Sequence, residues 1–388
     1  MKRIFSLFLF FVLLSSLLII PSYATEDEVT AVPTDAYVVV NDKYMRFDAY
    51  NIEGNNFFKL RDIAFALSGT DKGFNVKWNG NLDRIELIPE TTYTPVGGEM
   101  ELKLQVPASI QANKTSSSIF LNGEEVSLTA YNINDNNFFK LRDIAVLFNL
   151  GVSWDGLSRT IYLDSFKQKE VTVSTAEEFV RAIASNTVIR LKPGIYDLTI
   201  YDIRIYDVSN LSIIGAGADK TELINANRYR EILEFEYCRN IMVSGVKAGH
   251  TPQEYECDAG VFNFYGCVDV DVSDCYLYGC GSTGVRLYSC TAVSVNNTTI
   301  TDCSFHAVLV YDSVNVVFNN CKLIKNPCFA SVIAVYSYYT HTDVTFNKCD
   351  ISDNYNIGRS LVETYEHDDR YVSLTFNDCT AENNVGPM

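Results

Sequence analysis

Cysteine is missing from the whole first half of this 388-residue chain, since all 11 cysteines fall at or after Cys238. A disulfide scaffold is thereby excluded from that half, which must hold together by packing alone. Histidine is scarce: His250, His306, His341 and His367 are the complete set, and none lies in the first half. That excludes a histidine-built metal centre there. Positive charge is also short, with 31 Lys and Arg against 48 Asp and Glu and a formal net charge of −17. Phosphate backbones need clustered cations to displace counterions, so nucleic acid is excluded as a partner. After Ala24 no apolar run is long enough to span a bilayer.

What is present begins with a leader. Lys2 and Arg3 form a basic start, Ile4 to Ile20 is almost wholly apolar, and Ser22-Tyr23-Ala24 supplies small residues before a cleavage point. Residues 1–24 read as a signal peptide. The mature chain would then be secreted or held at the cell surface, with no stable membrane insertion and a net charge of −19 once Lys2 and Arg3 are removed.

The second half repeats itself. Ala216, Val246, Cys275, Thr298, Cys321, Cys349 and Cys379 fall in one column at separations of 30, 29, 23, 23, 28 and 30 residues. Asn296, Asn319, Asn347 and Asn377 make a parallel column. Short β-branched strands with Asn corners at this period predict an all-β solenoid whose coils stack. Asn at a corner tolerates left-handed backbone, and its amide can bond the coils on either side. An odd cysteine count aligned with the repeat speaks for buried thiols rather than staples, with Cys321, Cys349 and Cys379 as small core residues.

The first half is duplicated too. Ala49 to Ala64 (AYNIEGNNFFKLRDIA) and Ala130 to Ala145 (AYNINDNNFFKLRDIA) agree at 14 of 16 positions at an offset of 81. Trp78 and Trp154, the only tryptophans, each follow in Val-x-Trp-x-Gly. Leu60, Ile63, Ala64 and Leu67 fall at helical spacing, as do Leu141, Ile144, Ala145 and Phe148. Each copy therefore reads as a hairpin, a helix and a closing strand. The repeated NNFFKLRDIA resembles the copper amine oxidase N-terminal-like domain of exported Gram-positive proteins, over residues 35–165, with copies at about 35–90 and 119–165. The resemblance implies an envelope-associated module and not a copper amine oxidase, because the catalytic domain of that enzyme is absent.

Residues 170–388 carry LKPGIYDL and LSIIGAGADKTEL, ahead of coils with Asn-Asn corners. These resemble the right-handed parallel β-helix of pectate-lyase-like proteins. The expected fold class is therefore mixed: a small α+β N-terminal module in two copies, then an all-β right-handed parallel β-helix. A helix from Ala176 to Ala184 should cap the first coil. No amphipathic cap follows the last coil, so its open end should be covered by a partner or by further chain.

One strand per coil ends in an aromatic column, read as Phe235, Phe264, Tyr288, Tyr311 and Tyr336. Alternation sends Val285, Leu287, Val308, Val310, Ile333 and Val335 inward and Tyr288, Tyr311 and Tyr336 outward. Exposed aromatic rows need a partner, and sugar rings stack on them. Phe264, Tyr288, Tyr311 and Tyr336 are therefore the expected substrate-binding residues for an extracellular polysaccharide or cell-wall polymer. A covering loop or a register slip would remove the row.

Arg286, His306 and Asp312 are the catalytic candidates by proximity, with Glu254, Glu256 and Asp258 on a longer loop. The resemblance implies a polysaccharide lyase or hydrolase if the chain is an enzyme, but the paired-Asp signature of polygalacturonases and the acidic triplet of pectate lyases are absent. No cofactor or metal is expected; Asp269 and Asp271 are the sole pair placed for Ca2+, and solvated surface explains them as well. A structural or adhesive solenoid of the envelope without a carbohydrate site is the alternative.

Overall fold

The structure is a computed structural model that describes residues 28–102, 107–252, 256–279, 281–356 and 360–385. The proposed signal peptide, Glu254 and Cys280 lie outside the described residues.

The two N-terminal copies do not fold separately. Strands Glu28–Pro33, Ala49–Ile52 and Asn55–Lys59 of one and Ile110–Lys114, Ala130–Ile133 and Asn136–Lys140 of the other close a six-stranded barrel. The copies meet antiparallel at Phe58↔Phe139, an approximate two-fold axis. The outer hairpins are exchanged. Tyr37–Val40 and Lys43–Met45 extend the pair Gly151–Asp155 and Thr160–Asp164, while Ser118–Leu121 and Glu124–Val126 extend Phe74–Asn79 and Arg84–Pro89. The expected hairpin, helix and closing strand of each copy are present, but each hairpin pairs with the closing strand of the other copy. Helices α1 (Leu60–Ala66) and α2 (Leu141–Phe148) are too short to bury a core alone. Their apolar faces instead share one cluster, in which Phe74 of one copy stacks on Phe148 of the other at 4.0 Å.

Beyond Lys169 the chain winds into a solenoid of three parallel sheets of nine, six and seven strands. Helix α3 (Ala176–Ala182) closes its first turn. Thr175 caps it by accepting from the Glu178 backbone N–H at 3.2 Å, and Phe179 is fully buried against Tyr196. Alternate residues of every strand point inward, and like rings stack coil on coil: Phe235 on Phe264 at 4.9 Å, Phe318 on Phe346 at 4.6 Å.

The asparagine column is a continuous amide ladder. Asn319 donates to Asn296, Asn347 to Asn319 and Asn377 to Asn347, each at 2.8–2.9 Å. The left-handed residue is the one after each ladder asparagine, namely Asn297, Asn320, Lys348 and Asp378, which corrects the sequence assignment. The ladder residues need extended backbone to aim their amides along the stack.

Nine cysteines of the described residues are free thiols, eight of them buried, with Cys379 half-buried; Cys257 is disulfide-bonded and departs from the all-thiol expectation. Cys321 and Cys349 are core residues, as expected. Burial pushes the Cys275 and Cys328 thiols up to about 12, so neither supplies a thiolate at neutral pH.

The N-terminal domain docks on the nine-stranded sheet. Ser153 donates to Asp269 at 3.3 Å, Thr291 donates to Asp155 at 3.1 Å, and Arg239 pairs with Asp42 at 2.9 Å. That leaves the seven-stranded sheet uncovered by it. No helix among the described residues is long and apolar enough to cross a membrane.

Candidate functional site

The seven-stranded sheet sets the candidate site. Its strands are Arg204–Tyr206, Leu233–Glu236, Phe262–Tyr265, Thr283–Tyr288, His306–Tyr311, Ile333–Ser337 and Val362–Glu366. Register pairs Tyr265 with Tyr288, Tyr288 with Tyr311, Tyr311 with Tyr336 and Tyr336 with Tyr365. Phe264 pairs with Leu287 and is fully buried, as is Phe235. The expected role of Phe264 is thus corrected: it lies one position inward, and Tyr265 takes the outward place.

With that shift the column lengthens. Tyr206 packs edge-on to Tyr237 at 5.7 Å, Tyr237 to Tyr265 at 5.3 Å, and Tyr265 tilts against Tyr288 at 6.2 Å. Tyr288 stacks on Tyr311 at 4.5 Å and 8°, Tyr311 on Tyr338 at 5.9 Å, and Tyr338 reaches Tyr365 at 5.0 Å and His367 at 6.4 Å. Tyr206, Tyr237, Tyr265, Tyr338 and Tyr365 are exposed, whereas Tyr288, Tyr311 and Tyr336 are half-buried against their neighbours. Burial first, then the adjoining Tyr288, pushes the Tyr311 hydroxyl up to about 12, so it stays a hydrogen-bond donor throughout the physiological range. Seven coils at ~4.8 Å give a ridge of rings about 29 Å long.

A second row in register runs beside it: Arg204, Glu234, Asn263, Arg286, Leu309, Ala334 and Glu363, of which Asn263, Leu309 and Ala334 are buried. Arg204 bonds Glu234 at 3.2 Å, and Asn263 donates to Glu234 at 3.1 Å. Arg286 donates to Ser282 at 2.8 Å and lies 3.6 Å from Glu231. Burial, then the nearby Glu234, raises the Glu231 carboxyl above the ordinary glutamate range, against the pull of Arg286. A carboxyl with a raised affinity for its proton, a second glutamate and a guanidinium side by side are the parts of a proton-transfer cluster.

The other two catalytic candidates have structural duties. His306 is buried at the start of its strand, with Nδ1 2.6 Å from the Ser331 carbonyl, so it ties adjacent coils instead of facing outward. Asp312 is buried, and its Oδ1 accepts from the backbone N–H groups of Tyr338, Tyr339 and Thr340 at 2.7, 2.8 and 3.2 Å. It builds the turn that presents Tyr338. The pair considered for calcium is engaged within the protein: Asp269 accepts from Ser153, and Asp271 accepts from Ser294 at 2.8 Å and Asn296 at 3.0 Å. Sequence reasoning missed Tyr265, Tyr338 and Tyr365, and also Glu231, whose position three residues before Glu234 carried no distinguishing signal.

Residues 187–347 and 259–387 match the family model for the right handed beta helix region. The chain belongs to the right-handed β-helix family. No curated protein matches the sequence. Among solved structures it is similar to ORF18 of Geobacillus virus E2, at 12% identity over 69% of this chain and 70% of that one, with a TM-score of 0.33. An alginate lyase from Paenibacillus is 12% identical over 56% of this chain and 98% of its own, with a TM-score of 0.33. The catalytic unit of a GH87 α-1,3-glucanase from Streptomyces thermodiastaticus is 12% identical, with a TM-score of 0.40, over 93% of this chain and 59% of its own.

The raised Glu231 carboxyl has a consequence for stability. A carboxyl whose folded pKa lies above the unfolded value of about 4.3 binds more protons in the native state, so its contribution is lost as pH rises through that window. Glu231→Gln should therefore gain thermal midpoint relative to the wild type on going from about pH 4 towards neutrality. A constant difference across that range would show that Glu231 is not desolvated.

Proposed function

We propose that this is an exported cell-surface protein whose β-helix binds an extracellular polysaccharide along the tyrosine ridge. The observation that carries the reading is the unbroken run of ring contacts from Tyr206 to His367 on one open face. Solvent does not favour such a row, whereas the apolar faces of successive sugar rings match it. Arg286, beside the ridge, is suited to a carboxylate on the polymer. Export is supported by the basic start and apolar run of residues 1–24, and an envelope role by the duplicated NNFFKLRDIA motif.

The test is a glycan array with the full chain, followed by Tyr288→Ala, Tyr311→Ala and Tyr338→Ala against the best polymer. Each should weaken binding by roughly 0.5–1.5 kcal/mol while the protein stays folded. Unchanged affinity in all three would remove the sugar platform and leave a structural or adhesive solenoid as the better account.

A further inference from the structure

Two concavities lie far in the chain from the ridge, both in the N-terminal domain. One has a volume of about 790 Å3 and includes Lys59, Arg61, Trp78, Thr115, Asn132 and Asn137 in its lining. The other, about 590 Å3, includes Lys140, Arg142, Trp154, Thr34, Asn51 and Asn56. These are the same residues exchanged between copies. Lys59 corresponds to Lys140, Arg61 to Arg142, Trp78 to Trp154, Thr115 to Thr34, Asn132 to Asn51 and Asn137 to Asn56. Each groove thus takes its arginine and indole from one copy and its Thr and Asn from the other, a direct product of the interlocked fold.

The geometry repeats in detail. Thr34 donates to Asn56 Oδ1 at 3.1 Å and Thr115 to Asn137 Oδ1 at 3.0 Å. In both, the amide Nδ2 makes no hydrogen bond among the described residues. Trp78 is 48% exposed, and a side chain at Gly80 would come within 3.2 Å of its indole nitrogen, so glycine keeps that flank clear. Gly156 lies beside Trp154 in the other copy, where a side chain would come within 3.6 Å of the indole nitrogen, but there Thr291 and Val314 of the β-helix approach to 3.4 and 3.6 Å and Trp154 is half-buried, so that indole is the less open of the two. Arg61 and Arg142 are exposed and form no ion pair among the described residues. An indole face, a free amide donor and an unpaired guanidinium around one concavity recognise a sugar ring bearing an anionic group.

We infer that the N-terminal domain carries twin binding grooves for an acidic glycan, separate from the tyrosine ridge. The two are graded. Lys59 is held by Asp48 at 3.0 Å, and the first groove is also lined by Asp62, Asp83, Glu99, Glu101 and Asp135, which oppose an anionic ligand. Thr129 occupies the position corresponding to Asp48 in the second copy, Lys140 has no ion pair among the described residues, and Asp35 is the one acid in that lining, already paired with Arg159. The second groove is the tighter one. Two sites on one chain also let a repeating polymer bind with avidity.

Because Trp78 and Trp154 are the only tryptophans, indole emission reads the grooves and is blind to the ridge. The full chain, carrying Tyr288→Ala, Tyr311→Ala and Tyr338→Ala, is titrated with an oligogalacturonate and, separately, with a cello-oligosaccharide of equal length. Expected is a saturable emission change with the acidic oligomer. It should persist with one reporter in Trp78→Phe and in Trp154→Phe, with the stronger affinity in Trp78→Phe. Arg142→Gln and Arg61→Gln, both at exposed positions, should each weaken their own groove about two- to fivefold, the scale of an exposed ion pair. No emission change with the acidic oligomer, or an equal one with the neutral oligomer, overturns the assignment. Failure of the ridge would leave this response intact, and failure here would leave ridge binding intact.

Discussion

Val310→Asp is expected to unfold the β-helix. Val310 is completely buried, in register between Leu287 and Val335 of the coils on either side. A carboxylate there would meet stacked aliphatic groups with no cation or donor to compensate it. The cost of an unpaired buried charge is on the order of 4 kcal/mol or more, a large share of the stability of a domain. Tyr339→Asp, which adds the same charge at a position 85% exposed, should move stability by no more than about 0.5 kcal/mol. Thermal or urea unfolding of the two variants compares them directly. An unchanged midpoint in Val310→Asp would mean that the alternation placing Val308 and Val310 inside is wrong.

The same alternation explains what could be read from the sequence and what could not. Over the last four residues of Thr283–Tyr288 and of His306–Tyr311 the inward residues are aliphatic and the alternate ones are Arg, Leu and Tyr, so the phase is legible at Tyr288 and Tyr311. In Phe262–Tyr265 the sequence is Phe-Asn-Phe-Tyr, aromatic on both faces at the strand end, and a one-residue slip selects Phe264 over Tyr265. Tyr338 was illegible for another reason. It sits on a turn held by Asp312, and turns carry no period from which facing can be inferred. The duplication of the N-terminal half was plain from 14 matching residues, yet the exchange of hairpins was not. An apolar strand such as Tyr37–Val40 states that it needs a partner, and the closing strand of either copy would satisfy that pattern equally. His306 and Asp312 mislead in the same way: residue type suggests chemistry, but burial and backbone partners decide that they are structural.

Arg239 should prove the strongest single link between the two halves. It begins a strand of the nine-stranded sheet, and its guanidinium lies 4.4 Å over the Tyr162 ring and 2.9 Å from Asp42, both in the N-terminal domain. Asp42 is largely exposed, so that ion pair contributes little. Deeper in the interface lies Asp164, which is buried, and burial pushes its carboxyl above the ordinary aspartate range while the nearby charge of Arg239 pulls it back. Arg239→Ala removes the cation from Tyr162 and leaves the Asp164 charge without compensation. A loss of about 2–4 kcal/mol is expected, from the cation–π contact and the stranded carboxylate together. The sign of its pH dependence follows. Without Arg239 the folded pKa of Asp164 rises further above the unfolded value of about 3.9, so the variant's deficit should be small in acid and grow as pH rises towards neutrality. Adding Asp164→Asn removes the charge in question and should recover much of the deficit at neutral pH. If Arg239→Ala and the double variant were equally destabilised at every pH, the link would rest on the Tyr162 contact alone and Asp164 would have no part in it.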